Sequence, residues 1–371
     1  MAEFFDDEIE IGDLPGPATD VWSRLAETKK PIVMYGMGDG AEKILKVMES
    51  YGIKPDEFMA SDEFVRGHSF KGYKVRKLSE LEEMYEDFIV VICFGTAIPE
   101  VMDRIGEIAE RHEVVAPDVP VFGGGLFDGD FISDHEYEFM VLRTLLADRQ
   151  SRETLDAIMK YRITGDIKVL RSCETPKSEA YSLLNIGANE TYVDLGAYNG
   201  DTVEEFLQLT DKKFNKIYAL EPDRRNFSKL RRRHYALGSG IFQAENAAAW
   251  SEDKTLVFFS KSGRNSSLTD NISEESKGRA TEIAGRSVDS LLGGKPATII
   301  KYDVEGSEEE ALKGSESTIK AYKPRLIVSL YHRTEDLVKL PLLIKELNPD
   351  YKFYLRHHPY IPAWDTNLYC I

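Results

Sequence analysis

The sequence is short of positive charge. Asp and Glu number 64 against 47 Lys and Arg, for a formal net charge of −17. Phosphate backbones and anionic lipid repel such a chain, so nucleic acid and membrane surfaces are not expected as partners. Long apolar runs are missing as well, and nothing approaches the roughly 18 residues of a membrane span. Cysteine is scarce: Cys93, Cys173 and Cys370 stand far apart and offer neither a disulfide framework nor a metal-ligand spacing. The opening Met1-Ala2-Glu3-Phe4-Phe5-Asp6-Asp7-Glu8 has neither the basic nor the apolar region of a secretory signal. A cytoplasmic, reduced protein is expected. With 371 residues, 42% of them hydrophobic and 30% charged, the chain should be globular and divided into two domains.

What is present is organised around Tyr192-Val193-Asp194-Leu195-Gly196-Ala197-Tyr198-Asn199-Gly200-Asp201-Thr202. An apolar run reaches an aspartate, passes a turn with two glycines, and enters the amphipathic Val203-Glu204-Glu205-Phe206-Leu207. That pattern reads as strand, turn and helix, with glycine allowing a ligand to lie against the turn. The next strand, Lys216-Ile217-Tyr218-Ala219-Leu220-Glu221, ends in a carboxylate followed by Pro222. In a doubly wound sheet both strand ends open on one crevice. An ionised Glu221 is a pure acceptor, suited to the two hydroxyls of a ribose.

Asp-x-Gly-x-x-x-Gly followed by Leu-Glu-Pro resembles the cofactor site of class I S-adenosylmethionine-dependent methyltransferases. Under that resemblance Asp194, Gly196 and the turn Ala197, Tyr198, Asn199 and Gly200 would hold the methionine end of the cofactor, with Asp201 and Thr202 beside them. Glu221 and Pro222 would meet the ribose. Asn246 and Ala247, at the next strand's end, would meet the adenine edge, although Asn246 reads equally well as a turn residue bonding its own backbone. Further on, Ile300-Lys301-Tyr302-Asp303-Val304-Glu305-Gly306-Ser307-Glu308 resembles the IK-x-D-x-EG-x-E signature of FkbM-type methyltransferases. So do Leu312-Lys313-Gly314, Lys323-Pro324, and Asn265, Ser266 and Ser267 leading into Leu268. The resemblance covers residues 178–371. It implies transfer of a methyl group from S-adenosylmethionine, most often to a hydroxyl of a sugar or polyketide.

The expected fold is α/β. A class I methyltransferase Rossmann-like seven-stranded sheet over 178–371 follows a smaller Rossmann-like α/β domain over 31–120. An acidic, helical leader spans 1–30 and a helical connection spans 121–177. In the smaller domain the strand Pro31-Ile32-Val33-Met34-Tyr35 leads into Gly36-Met37-Gly38-Asp39-Gly40-Ala41, which matches G-x-G-x-x-G/A, with Asp62 about 20 residues further on. This unit admits three readings: a holder of a nucleotide-sugar or similar ligand, an NAD site, or a structural or dimerising unit that would make the protein a homodimer. The basic cluster from Arg224 to His234 reads as the solvated face of a helix, or as an anionic-substrate patch. Residues 260–286 read as a polar flap, residues 308–321 as one helix, and Thr334 as the N-cap of a helix running to Leu347.

The chemistry is expected at the ends of the fourth and fifth strands, where Asp303, Glu305 and Tyr331-His332-Arg333 fall. Methyl transfer is an in-line displacement on carbon, and the departing sulfide needs no proton. Only alignment and removal of the acceptor's proton are required. His332, with an ordinary pKa near ~6.5, is the candidate base, and Asp303 or Glu305 would orient it or share its proton. The alternatives are an ordinary core or cap histidine, or a Mg²⁺ site built from Asp303, Glu305 and His332; no tight ligand spacing supports the latter, so no metal is assigned. His357 and His358 alternate faces of a strand and cannot form a zinc pair. The acceptor is expected to be a soluble small molecule with a sugar-like hydroxyl. The competing function is an NAD-linked or nucleotide-sugar-binding protein whose methyltransferase-like half is non-catalytic.

Overall fold

Short apolar strands set the frame. Ile32–Tyr35 (β1) and Ile89–Ile92 (β5) are buried at every position, as runs without polar alternation must be when helices cover both faces of a sheet. The computed structural model describes residues 19–65, 67–259, 267–269 and 280–371. With Glu57–Met59 (β2), Ser69–Phe70 (β3), Tyr73–Arg76 (β4) and Glu113–Val115 (β6), these strands form a six-stranded sheet in the order β3-β4-β2-β1-β5-β6. Only the β3/β4 pair is antiparallel. The helix Asp39–Ser50 leaves β1 through Gly38, at φ 126°. A Cβ on Gly40 would stand 2.2 Å from the Cys93 carbonyl oxygen, so this helix lies on the end of β5 at a position that only glycine fits.

The C-terminal half holds the expected seven-stranded sheet, ordered β16-β17-β15-β14-β7-β8-β9. Its strands are Thr191–Leu195 (β7), Lys216–Leu220 (β8), Phe242–Glu245 (β9), Ile299–Tyr302 (β14), Arg325–Ser329 (β15), Phe353–His357 (β16) and Thr366–Cys370 (β17). All neighbours are parallel except β17, which runs antiparallel between β15 and β16. One buried cluster continues from Val33 and Val90 through Leu155 and Ile158 of the helix Arg149–Thr164 to Val193, Ile300 and Val328. The two halves therefore share apolar core through the connecting helices. No helix among the described residues is long and apolar enough to cross a membrane.

Three local expectations are corrected. Ala247–Ala249 (β10), Lys254–Phe259 (β11), Ser267–Thr269 (β12) and Ala280–Arg286 (β13) form a separate four-stranded sheet, in the order β10-β13-β11-β12. The flap read over 260–286 thus ends in a strand, while residues 260–266 and 270–279, with the motif residues Asn265 and Ser266, lie outside the described residues. The helix expected over 308–321 is two, Glu308–Lys313 and Glu316–Tyr322. Between them a Cβ on Gly314 would meet the Trp250 carbonyl oxygen at 2.0 Å, so two backbones touch there. Thr334 is not an N-cap: its hydroxyl donates to the Gly125 carbonyl at 2.6 Å, and the helix Asp336–Leu347 starts after Glu335. The basic segment forms the helix Arg224–Arg233, with Leu230 buried and its arginines exposed.

The C-terminal edges of the two sheets abut. Thr96, beyond β5, and Ile361, beyond β16, exchange backbone hydrogen bonds of 2.8 and 3.0 Å. The Phe122 N–H donates to the His332 carbonyl at 3.0 Å, at the end of β15.

Candidate active site

A cavity of about 370 Å³ lies along this edge of the C-terminal sheet. Its first wall is the turn after β7. Gly196 (φ 81°) and Gly200 (φ 87°) both take left-handed backbone. A Cβ on Gly196 would fall 1.9 Å from the Asp303 carbonyl oxygen, and one on Gly200 would fall 2.5 Å from His234 Nε2. Glycine is required at both places by conformation and by contact. The buried His234 ring is also held there by the Gly200 carbonyl, 2.9 Å from Nε2.

Glu221, at the tip of β8, joins two turns. Its Oε2 accepts the Tyr198 N–H and its Oε1 the Asp223 N–H, each at 2.8 Å. Burial lifts this carboxyl to about 8, against the lowering effect of those two N–H groups. Gly196, Tyr198, Asp201, Thr202, Glu221 and Pro222 all line the cavity.

Other residues expected on the cofactor wall stand behind it. Asp194 is fully buried; it accepts the Thr202 hydroxyl and lies 4.0 Å from Lys301 Nζ, so it braces the turn from below. Burial outweighs Lys301 and Thr202 and moves Asp194 up to about 6. Ala197 is buried, and the Asn199 side-chain carbonyl accepts from Arg233 at 3.0 Å. Asn246 spends its amide on the Glu221 and Pro222 carbonyls, at 2.8 and 2.9 Å. Those carbonyls belong to the β8 turn, so the amide ties two strand ends together rather than bonding its own backbone, and the wall beside it is made by Ala248 and Ala249 rather than by Ala247.

At the centre of the cavity stand Asp303, Glu305, Tyr331 and His332. His332 is 2% exposed. Its Nδ1 is 2.8 Å from Glu308 Oε1, and its Nε2 is 3.6 Å from Asp303 and 3.8 Å from Glu305. Burial favours the neutral ring, but Glu308, Glu305 and Asp303 together prevail and lift the imidazole to about 10. The expectation of a ring near its ordinary value is therefore corrected: His332 is an imidazolium at neutral pH, clasped by three carboxylates. Asp303 moves the other way. Burial would raise it, yet Lys301, whose Nζ is 2.9 Å away, and His332 hold it well below the usual carboxylate range. The Tyr331 hydroxyl donates to its other oxygen at 3.0 Å. Glu305 adopts φ 57°, a strained conformation for a non-glycine residue and one that clusters at functional sites.

Glu308 is the functional side chain that sequence reasoning passed over. It is 1% exposed, and the same Oε1 that meets His332 also accepts the Val304 N–H at 2.8 Å. Its signal was the last position of the acidic signature, but nothing local tied it to a histidine 24 residues away. The two histidines at the end of β16 have structural partners: His358 bridges the Thr175 carbonyl and the Tyr369 hydroxyl, and His357 meets Thr366. Among the described residues, no group of three or more His, Cys, Asp or Glu is placed to hold a metal ion.

The far wall comes from the loop between β16 and β17, with Tyr360, Trp364 and Asp365, and from Lys177, whose Nζ is 3.3 Å from Asp365. Ala97 and Val121, from outside the seven-stranded sheet, complete it. The smaller sheet has a separate cavity of about 320 Å³ near Tyr35, Ser61, Glu63 and Arg104, which the glycine turn 36–41 does not line.

Residues 194–361 match the model of the methyltransferase FkbM domain. The structure is similar to the methyltransferase FkbM from Methylobacillus flagellatus KT, with a TM-score of 0.71 at 23% identity, covering 96% of this chain and 94% of that one. An rRNA methylase from Streptococcus thermophilus matches at a TM-score of 0.33 and 14% identity, over 53% of this chain and 95% of that one. Aeropyrum pernix fibrillarin in complex with S-adenosyl-L-methionine matches at 0.32 and 10%, over 53% and 74%. No curated protein sequence matches the chain.

Proposed function

We propose that the FkbM methyltransferase domain this chain carries over residues 194–361 moves the methyl group of S-adenosylmethionine onto a hydroxyl of a sugar-like small molecule. The observation that carries this reading is the charge of the cavity wall. Asp201, Asp223, Asp303, Glu305 and Asp365 line it, against Lys177 and the His332 imidazolium, and Glu221, lifted to about 8, adds its charge when it ionises. An acidic cleft of this kind concentrates a cationic ligand, and S-adenosylmethionine carries both a sulfonium and an ammonium. The remaining surface fits it too. Each oxygen of Glu221 accepts one backbone N–H and keeps a second lone pair for a ribose hydroxyl. Ala248 and Ala249 offer small apolar surface to a planar base.

S-adenosylmethionine supplies an electrophilic methyl group on a sulfonium; the chain supplies alignment and a place for the acceptor's proton. Asp303 and Glu305 would accept from hydroxyls neighbouring the reacting one and so turn the reacting oxygen toward the donor half of the cavity, leaving its own proton for His332. His332, fixed through Nδ1 by Glu308, presents Nε2 between those same carboxylates. A second cation in the cavity disfavours the protonated ring, so His332 sheds its proton more readily in the loaded enzyme and can take one from the hydroxyl. Placing a hydroxyl proton on a positioned base contributes about 10²–10⁴-fold.

The test is transfer of a labelled methyl group from S-adenosylmethionine to a panel of hexosides and nucleoside-diphosphate hexoses. His332→Ala should lower turnover by roughly two to four orders of magnitude while leaving cofactor affinity near its normal value. Unchanged turnover removes His332 from the mechanism, and label found only on nitrogen or carbon acceptors overturns the hydroxyl assignment.

A further inference from the structure

Tyr360 and Trp364 stand out among the aromatics of this cavity. Their ring centroids are 6.4 Å apart and their planes are inclined by 36°. The other tryptophans, Trp22 and Trp250, are buried at 4% and 8% exposure, whereas Trp364 faces the cavity. Beside the pair, Asp365 and Lys177 put a carboxylate and an ammonium at the rim. Opposite them, across the reacting centre, lies the wall built by Glu221 and the glycine turn. The cavity thus has a donor half and a second half of different chemistry.

The support for this aromatic pair comes from the other sheet. Gly95 follows β5, and a Cβ there would stand 2.7 Å from two ring carbons of Trp364 and 2.9 Å from the Tyr360 hydroxyl. The next residue, Thr96, is bonded through its backbone to Ile361, between the two aromatics. Ala97 then reaches the cavity itself. The N-terminal turn is packed so closely that no side chain can be added without moving the rings.

Resting on the function proposed above, we infer that Tyr360 and Trp364 form the acceptor subsite, that its ligand is a neutral pyranose ring, and that the N-terminal turn 95–97 sets its shape. A pyranose has an apolar C–H face, which stacks on an aromatic ring, and an edge of hydroxyls, which carboxylate and ammonium groups bind as acceptors and donors. An extended aliphatic acceptor would displace water from the Asp365–Lys177 pair at the rim and offer no hydroxyl in its place. A phosphate group on the edge of the ring that enters the cavity would meet Asp303, Glu305 and Asp365 at close range, whereas one on the anomeric carbon can stay outside. The same ring chemistry is offered by a simple glycoside and by the hexose of a nucleoside-diphosphate sugar.

The experiment uses the full chain saturated with S-adenosylhomocysteine. It reads tryptophan fluorescence and calorimetry with the methyl glycosides of glucose, galactose, mannose and rhamnose, and with their nucleoside-diphosphate-linked forms. At least one pyranose should bind and change the Trp364 emission. Trp364→Ala and Gly95→Ala should each weaken it tenfold or more, and Trp364→Phe, which keeps an aromatic face, should stay within about threefold of the parent. S-adenosylhomocysteine affinity should stay within about twofold in all three variants, which also shows that they are folded. Binding of the methyl glycoside shows that the ring alone suffices; binding only of the nucleotide-linked form assigns that source. If S-adenosylhomocysteine binds but no pyranose does, or if Trp364→Ala and Gly95→Ala leave pyranose binding intact, the subsite is wrong while the methyltransferase reading stands. If S-adenosylhomocysteine itself fails to bind, the parent reading falls, and the sugar arm then decides the subsite by itself.

Discussion

Replacing Glu308 by glutamine removes one negative charge and keeps the shape of the side chain. The amide oxygen can still accept the Val304 N–H and the His332 Nδ1–H, both made at 2.8 Å by the carboxylate. What is lost is attraction for the imidazolium. The three carboxylates lift His332 from 6.5 to about 10, which corresponds to about 5 kcal/mol of preference for the charged ring. Glu308 is the nearest of the three, and an opposite charge at such range commonly accounts for 1–3 pH units. The variant's ring should therefore titrate at roughly 7–9. A histidine whose folded-state pKa is raised contributes stability that is complete below its unfolded value and lost as pH rises through the folded value. The parent should lose this contribution as pH climbs from about 6.5 toward 10, and the variant should lose a smaller one at lower pH. Ring proton NMR gives the titration directly, and urea unfolding at pH 6 and pH 9.5 gives the linked stability. The rising limb of kcat/KM against pH should move to lower pH by the same interval. A parent ring titrating near 6.5, or a variant ring titrating with the parent, shows that Glu308 does not govern His332.

Two further substitutions probe the frame around the site. Gly200→Ala places a Cβ on a residue at φ 87° and within 2.5 Å of the His234 ring; it should lower the unfolding free energy by about 2–4 kcal/mol, and an unchanged urea midpoint contradicts the assignment. Asp118 and Arg162 form a buried pair at 3.0 Å between the connecting segment and its helix, with Arg162 also over the Phe127 ring and donating to the Thr334 carbonyl. Burial raises the Asp118 carboxyl even against Arg162, so the intact pair adds little net stability. Breaking it is different: Asp118→Ala should cost about 3–5 kcal/mol by leaving a buried cation unpaired. Asp118→Ala with Arg162→Met should recover much of that loss, and a double variant as unstable as the single one argues against charge burial as the cause.

The parts of this account that were legible in the sequence are those with a short-range physical cause. Gly196 and Gly200 announced a left-handed turn between an apolar strand and an amphipathic helix, and both have φ above 80°. Alternating apolar strands and helices announced the seven-stranded sheet, including the hairpin that places β17 antiparallel. The parts that were hidden depend on groups that only the fold brings together. The proton affinity of His332 follows from Glu308, Glu305 and Asp303, which arrive from another strand. Asn246 looked like a ligand residue because of its place at a strand end, but its amide ties down the β8 turn, a bond invisible without the register of β8 and β9. Thr334 had the chemistry of a cap, yet Gly125 takes its hydroxyl. The packing of Gly95 on Trp364 joins the two sheets, and no spacing within either half could have indicated it.

The most direct test of the central claim is calorimetric titration of S-adenosylhomocysteine into the full chain and into Glu221→Ala, across pH 6 to 9. The ribose hydroxyls would bond the ionised carboxylate, and burial holds Glu221 at about 8. Affinity should therefore rise with pH up to about 8, by at most tenfold per pH unit, and then level, with protons released below that point. Glu221→Ala should bind tenfold or more weakly and should lose the pH dependence. Absence of any binding to the parent chain, or equal and pH-independent binding to both proteins, would contradict the assignment of this cavity to S-adenosylmethionine.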